Sequence, residues 1–102
     1  MEIQMKKGLL DVCVLALLKR GDSYGYQIVA ELSSVIEVSE STLYPILRRL
    51  EVQGQLVTYT REHGGRLRRY YRITGEGLGR LEKFKSEWRE LRQIYAFIQG
   101  DD

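Results

Sequence analysis

A chain of 102 residues, 43% hydrophobic and 29% charged, builds one globular domain and leaves no room for a large enzyme with a deep cleft. Its one cysteine, Cys13, excludes an internal disulfide and a cysteine-only metal site. The net charge of +2 is unevenly spread: residues 1–38 carry 4 basic against 5 acidic side chains and residues 73–102 carry 5 against 6, whereas residues 39–72 carry 7 arginines against 3 glutamates, so attraction for a polyanion is concentrated in the middle third.

Leu9 to Leu18 is apolar on almost every side and stops at Lys19, Arg20 and Gly21, the pattern of a central helix covered by its neighbours. Cys13 inside it reads as a small buried hydrophobe. The run Val12–Leu18 is too short to span a bilayer and no small-residue cleavage site follows it, so a cytoplasmic protein with no membrane partner is expected. A short second helix follows, capped by Asp22 or Ser23, with Tyr24, Ile28 and Leu32 on one face and Ser33 and Ser34 at its end. Tyr24 and Tyr26, near its start, either pack or reach a phosphate through their hydroxyls.

Ser39 to Leu50 carries the strongest signal. Val38 and Leu43 flank Ser39 at the spacing of a hydrophobic staple, which makes Ser39 the N-cap, and Leu43, Ile46, Leu47 and Leu50 form one apolar stripe. At about 100° per residue, Ser41, Pro45 and Arg48 project opposite that stripe, with Tyr44 and Arg49 on its flanks. Hydroxyls, an aromatic and arginines are the means of phosphate and base-edge contact, although two arginines beside Glu51 also suit ordinary solvated helix surface. Pro45 falls in the second turn under this cap, so a bend is expected there. The pair of helices joined by Val35–Val38 reads as a helix-turn-helix.

Gly54 ends that helix, and two strands are expected at Leu56–Thr60 and Leu67–Ile73, joined through Glu62, His63, Gly64 and Gly65 as a two-stranded ribbon. In the second strand Leu67, Arg69, Tyr71 and Ile73 alternate with Arg66, Arg68, Tyr70 and Arg72, so packing and charge occupy opposite faces. A ribbon with arginines at its tip, directly after a polar-faced helix, is the wing of a winged helix-turn-helix. Thr74 then caps a last helix from about Gly75 to Ile98. Leu81, Phe84, Trp88, Leu91, Tyr95 and Ile98 recur along it at alternating spacings of three and four, with Ile94 and Phe97 beside them. Such a seam either dimerises or folds back on the first helix, and dimerisation is the expectation. The fold class is therefore mainly α with a small β-hairpin: residues 1–74 a winged helix-turn-helix and residues 75–102 a dimerisation helix.

Catalytic signals are weak. The TGEGLG stretch mimics a dinucleotide fingerprint but has Arg80 in place of the last glycine and no space for a second βαβ half. His63 is the only histidine and lies in a turn, without the pattern of a zinc site or a triad. Neither an enzyme, a cofactor nor a metal is expected.

With these segments in place, the chain resembles the PadR family of bacterial transcriptional regulators over nearly its whole length, through SYGYQI at Ser23–Ile28, STLYPILRRLE at Ser41–Glu51 and GGRLRRYYRIT at Gly64–Thr74. Its single last helix resembles the compact subfamily. The resemblance implies a homodimeric winged-helix repressor on a palindromic duplex DNA operator, often released by a small phenolic or drug-like molecule. It puts Tyr24, Ser41, Thr42, Tyr44 and Arg48 on the DNA side, with the wing around Gly64 to Arg68. Together with the helix reading, the expected DNA contacts are Tyr24, Ser39, Ser41, Thr42, Tyr44, Arg48 and Arg49 from the helices and Gly64, Gly65, Arg66 and Arg68 from the wing. Gly75, Gly77 and Gly79 depart from the better helix formers common at the start of the family's last helix, and Leu67 stands where proline is frequent.

Trp88 has two readings: a bulky core residue, or one half of a slot in which two indoles sandwich a planar aromatic effector, with Phe84 and Leu91 as walls and Glu87 available to a cationic group. A rival to DNA regulation is a winged-helix module that binds a protein partner or only maintains a dimer, without sensing an effector.

Overall fold

The computed structural model describes residues 3–100; the outermost ends of the two expected units, residues 1–2 and 101–102, lie outside the described residues. Helix α1 spans Ile3–Arg20 and is followed by a two-residue strand, β1 (Ser23–Tyr24), then by α2 (Gly25–Leu32) and α3 (Glu40–Val52). Strands β2 (Leu56–His63) and β3 (Arg66–Ile73) form the hairpin, and α4 (Gly75–Gln99) ends the described chain.

Helix α1 starts at Ile3, earlier than its apolar run indicates, and touches α2, α3, β3 and α4. Leu10, Val14, Leu15 and Leu18 from it meet Ile28 and Leu32 of α2, the α3 stripe Leu43, Ile46, Leu47 and Leu50, and Leu56 and Tyr71 of the sheet in one buried cluster. Each such aliphatic side chain contributes about 1.5–3 kcal/mol by leaving water, which makes this cluster the main stabilising element. Cys13 is half-buried at its edge, where burial pushes its thiol pKa up and keeps it a packing group.

Helix α3 begins where its staple requires. Ser39 is extended and its hydroxyl accepts from the Thr42 amide at 3.3 Å, while Val38 packs against the core beside fully buried Leu43. The helix continues unbroken through Pro45. Its end is a Schellman turn: Gly54, at φ 75°, donates to the Glu51 carbonyl at 3.0 Å and Gln55 donates to the Leu50 carbonyl at 2.9 Å. Gly54 therefore sits one residue past the cap, Gln53.

Three expectations change. The sheet has three antiparallel strands in the order β1-β3-β2, because Ser23 and Tyr24 pair with Tyr71 and Tyr70 on the edge of β3 that a hairpin alone would leave open. Consequently neither Asp22 nor Ser23 caps α2. Its N-cap is Tyr24 without a side-chain bond, the Ser23 hydroxyl donates to Gln27 Oε1, and Asp22 accepts from Tyr59 and Arg72. Glu62 and His63 belong to β2: the turn is Gly64-Gly65 alone, at φ 59° and 80°, the two-residue form that requires left-handed backbone at both positions.

Thr74 caps α4 as its sequence indicates, accepting from the Gly77 amide at 3.2 Å and donating to the Gly54 carbonyl at 2.6 Å. Gly77 is a packing requirement, since a Cβ there would lie 2.2 Å from the Gln55 carbonyl oxygen. The start of α4 is thereby held against the body, and Leu81, expected in an intermolecular seam, is already buried within its own chain at 3% exposure. Beyond it the helix leaves the body, giving a molecule of 58 × 26 × 21 Å.

Candidate nucleic-acid interface

The outer face of α3 stands open. Ser39, Ser41 and Thr42 form a hydroxyl cluster at its start, with Ser39 Oγ 3.0 Å from Ser41 Oγ and 3.1 Å from Thr42 Oγ1, all exposed. Because Ser39 also caps the helix, Ser41 and Thr42 are the freer pair. One turn on, Tyr44 lies over Gly25, where a Cβ would meet its hydroxyl at 2.3 Å. The missing side chain at Gly25 lets the hydroxyl end of Tyr44 approach α2. Arg48 follows on the same face, exposed and without an ion pair among the described residues.

Arg49 is positioned otherwise. Its guanidinium pairs with Asp11 of α1, which is 4% exposed and also accepts from Arg80 at 2.9 Å. Arg49, expected among the DNA contacts, is thus tied to the scaffold through one guanidinium nitrogen while its side chain stays 43% exposed. Helical periodicity sets Arg48 opposite the apolar stripe and Arg49 on its flank, but the partner that Asp11 of α1 offers Arg49 is not visible in it.

The wing supplies the facing wall. Arg68 lies over the Tyr24 ring at 3.9 Å, Tyr24 meets Tyr70 edge-on at 5.6 Å, and Tyr70 stacks on Tyr59 at 5.5 Å. Tyr24 is half-buried in this ladder, packed against Tyr70 and beneath the Arg68 guanidinium. Arg66 pairs across the ladder with His63 beside the open Gly64-Gly65 turn, where a Cβ would meet nothing within 4 Å. Between helix and wing lies a concavity of about 680 Å³ bordered by Tyr24, Tyr26, Tyr44, Arg48, Arg68 and Arg69. Glu51 on its floor accepts from Thr58 at 3.1 Å and holds Arg69 at 3.5 Å, so Arg48 and Arg68 remain the freer cations.

The base of the wing is clamped by Asp22, which accepts from the Tyr59 hydroxyl at 2.5 Å and from Arg72 Nε at 3.0 Å. The Arg72 bond, with that of Tyr59, holds the Asp22 carboxyl below the usual carboxylate range, and the same contact raises the Tyr59 phenol.

The second expected site lies on the opposite side of α1. Phe84 and Trp88 stack with centroids 6.3 Å apart, and Phe84, Trp88 and Leu91 line a groove of about 690 Å³ against Met5, Leu9 and Val12. Glu87 is on its rim together with Arg80 and Lys83. Trp88 is 49% exposed, and Leu91, Tyr95 and Ile98 beyond it are exposed too. A fold-back on α1 thus covers only the first part of the seam. Among the described residues no group of three metal-ligating side chains could hold an ion, and no helix is long and apolar enough to cross a membrane.

Residues 14–83 match the model of the transcriptional regulator PadR-like family. The chain belongs to that family. Membership makes it a winged-helix transcription regulator and not an enzyme. A Lysinibacillus sphaericus protein is 36% identical over 101 residues, 92% of each chain. The crystal structure of a PadR family transcriptional regulator from Eggerthella lenta DSM 2243 matches at TM-score 0.83 and 35% identity, covering 98% of this chain and 89% of that one. Bacillus subtilis PadR, solved in complex with operator DNA, matches at TM-score 0.70 and 25% identity over 74% of this chain and 46% of its own.

Proposed function

We propose that this PadR-family chain is a cytoplasmic, homodimeric repressor that reads a palindromic duplex operator with α3 and the wing. One observation carries the reading: the open face of α3 and the Gly64-Gly65 wing border a single basic concavity, with Arg48 and Arg68 directed to it from opposite walls. The B. subtilis relative solved in complex with operator DNA supports DNA as the partner. Arg48 and Tyr44 reach base edges in the major groove, Ser41 and Thr42 hold a phosphate at the start of α3, and Arg66 and Arg68 with the glycine turn follow the adjacent backbone. Arg49 orients the helix from behind.

Residues 1–74 form the reader and residues 75–102 the dimerisation arm, whose seam is Phe84, Trp88, Leu91, Tyr95 and Ile98. A second copy of this arm removes the exposed apolar surface from water and holds two readers one DNA turn apart, about 34–36 Å. A planar aromatic effector enters beside Trp88 and shifts the angle between the arms, which changes DNA affinity by binding two dimer geometries unequally.

Selection of duplexes from a random pool, followed by affinity measurement across a salt series, tests the reading. A selected palindrome whose binding falls steeply with salt is the expected outcome, because each neutralised phosphate releases counterions. Absence of any DNA affinity in a folded dimer ends it in favour of a protein-binding module. Titration with planar cationic dyes tests the effector slot: quenching of Trp88 that is lost in Trp88→Leu supports it, and unchanged dye binding by that variant rejects it.

A further inference from the structure

Asp11 is a charged residue inside the apolar face of the central helix. Its side chain is 6% exposed, yet its two oxygens go to two different elements: Oδ1 accepts from Arg49 of α3, and Oδ2 accepts from Arg80 of α4 at 2.9 Å. Arg80 reaches further, donating through its other terminal nitrogen to Gln55 Oε1 at 2.8 Å, just past the end of α3. Each guanidinium satisfies one oxygen of this buried carboxylate, so removing either leaves that oxygen without its partner and the carboxylate held to one helix alone. The cluster therefore resists separate movement of α3 and α4.

Its surroundings reinforce the connection. The Thr74 hydroxyl is bonded to the Gly54 carbonyl, and Gly77 lies against the Gln55 carbonyl too closely for any side chain. These contacts fix the first turn of α4 to the end of α3 at one point. Asp11, one turn further along α4 at Arg80, supplies a second point on a different helix, and two separated points define an angle where one permits a pivot. The guanidinium groups remain partly open, with side-chain exposures of 43% for Arg49 and 32% for Arg80, whereas the carboxylate does not.

We infer that Asp11 is a positioning residue for DNA reading: through Arg49 and Arg80 it sets the angle between the reading helix α3 and the projecting arm α4. The inference rests on the proposed DNA-reading function. It assigns to Arg80, far from the reading face, an effect on sequence preference, and it makes the effects of Arg49 and Arg80 interdependent although each uses a different carboxylate oxygen.

The test is a double-mutant cycle of Arg49→Met and Arg80→Met in the full chain, with Asp11→Asn alongside and Arg80→Lys as the conservative variant. Affinity is measured for the duplex selected by the wild-type chain and for a random duplex at low salt, and amide exchange is followed across residues 40–52. Arg80→Met is expected to weaken binding to the selected duplex by about 3- to 30-fold, the range for residues that couple distant sites, with binding to the random duplex unchanged. It should also speed exchange in α3, with partial recovery in Arg80→Lys, and it should add little once Arg49 is gone. Strictly additive losses, equal losses on both duplexes, or unaltered α3 exchange in Arg80→Met overturn the inference. Should Asp11→Asn fail to fold, the arginine cycle decides alone. A wild-type chain that binds neither duplex ends the DNA reading, while the exchange measurement still decides whether Asp11 couples the helices.

Discussion

Arg48 and Arg49 are neighbours in sequence with different surroundings, one unpaired among the described residues on the outer face of α3 and one paired with Asp11. Arg48→Ala should therefore cost about 1–3 kcal/mol of operator binding and relax sequence preference, the effect of losing a base-edge contact, without changing the melting temperature. Equal affinity of that variant for the selected duplex would remove Arg48 from the reading set. Asp22 allows a test by pH. Its folded carboxyl is depressed below the ordinary range, so the stability it contributes is present above the unfolded carboxylate pKa and lost as pH falls through the folded value. Asp22→Asn should consequently be less stable than the parent near neutrality, and the two melting curves should converge in acid. A constant difference down to acid pH would mean that the Tyr59 and Arg72 contacts do not depend on the charge.

At the scale of elements, α3, the wing and the start of α4 are joined by short polar and glycine devices. Gly77→Ala places a methyl against the Gln55 carbonyl and should destabilise by about 1–3 kcal/mol, the usual consequence of overpacking, whereas Gly79→Ala meets open space and should stabilise the helix slightly. Thermal melts of the two variants with shifts of the same sign would contradict that distinction. In the wing, Arg66→Ala and Arg68→Ala should weaken binding to every duplex alike and flatten its salt dependence, because phosphate contacts carry no sequence information. Arg68 also covers the Tyr24 ring, so its variant should additionally loosen the tyrosine ladder, visible as a change in tyrosine fluorescence or near-ultraviolet dichroism absent in Arg66→Ala.

For the whole molecule, the exposed half of α4 dominates. Phe97 and Ile98 are 80% and 71% exposed, and a stripe of that length has no cover among the described residues. Truncation after residue 86 keeps the Thr74 cap, Gly77 and buried Leu81 and removes Trp88 onward. The shortened chain is expected to stay folded, sediment as a monomer and lose operator affinity, because the half-sites are no longer held together. An intact dimer after this truncation would place the interface elsewhere. Cutting before Leu81 is a poorer test, since it also opens the core.

Much of this was legible locally. The Ser39 cap, the α3 stripe, the glycine turn and the Thr74 cap each depend on residues a few positions apart, and backbone satisfaction at helix ends and turns is decided at that range. The order of reading helix, wing and apolar seam followed from them, together with the concentration of arginines in the middle of the chain. Three features required the tertiary structure. Ser23 and Tyr24 become a strand only because the edge of β3 is beside them; nothing in two residues encodes that partner. Leu81 joins the core while Phe84 and Trp88 stay at its margin, a division set by where α4 leaves α1 and not by a seam that repeats alike on both sides of it. Asp11 is bound by arginines 38 and 69 positions away, and periodicity along one helix carries no record of charges that arrive from two others. Local backbone and side-chain demands are written within a turn or two of sequence; burial and charge pairing depend on which elements meet, and only the packed molecule determines that.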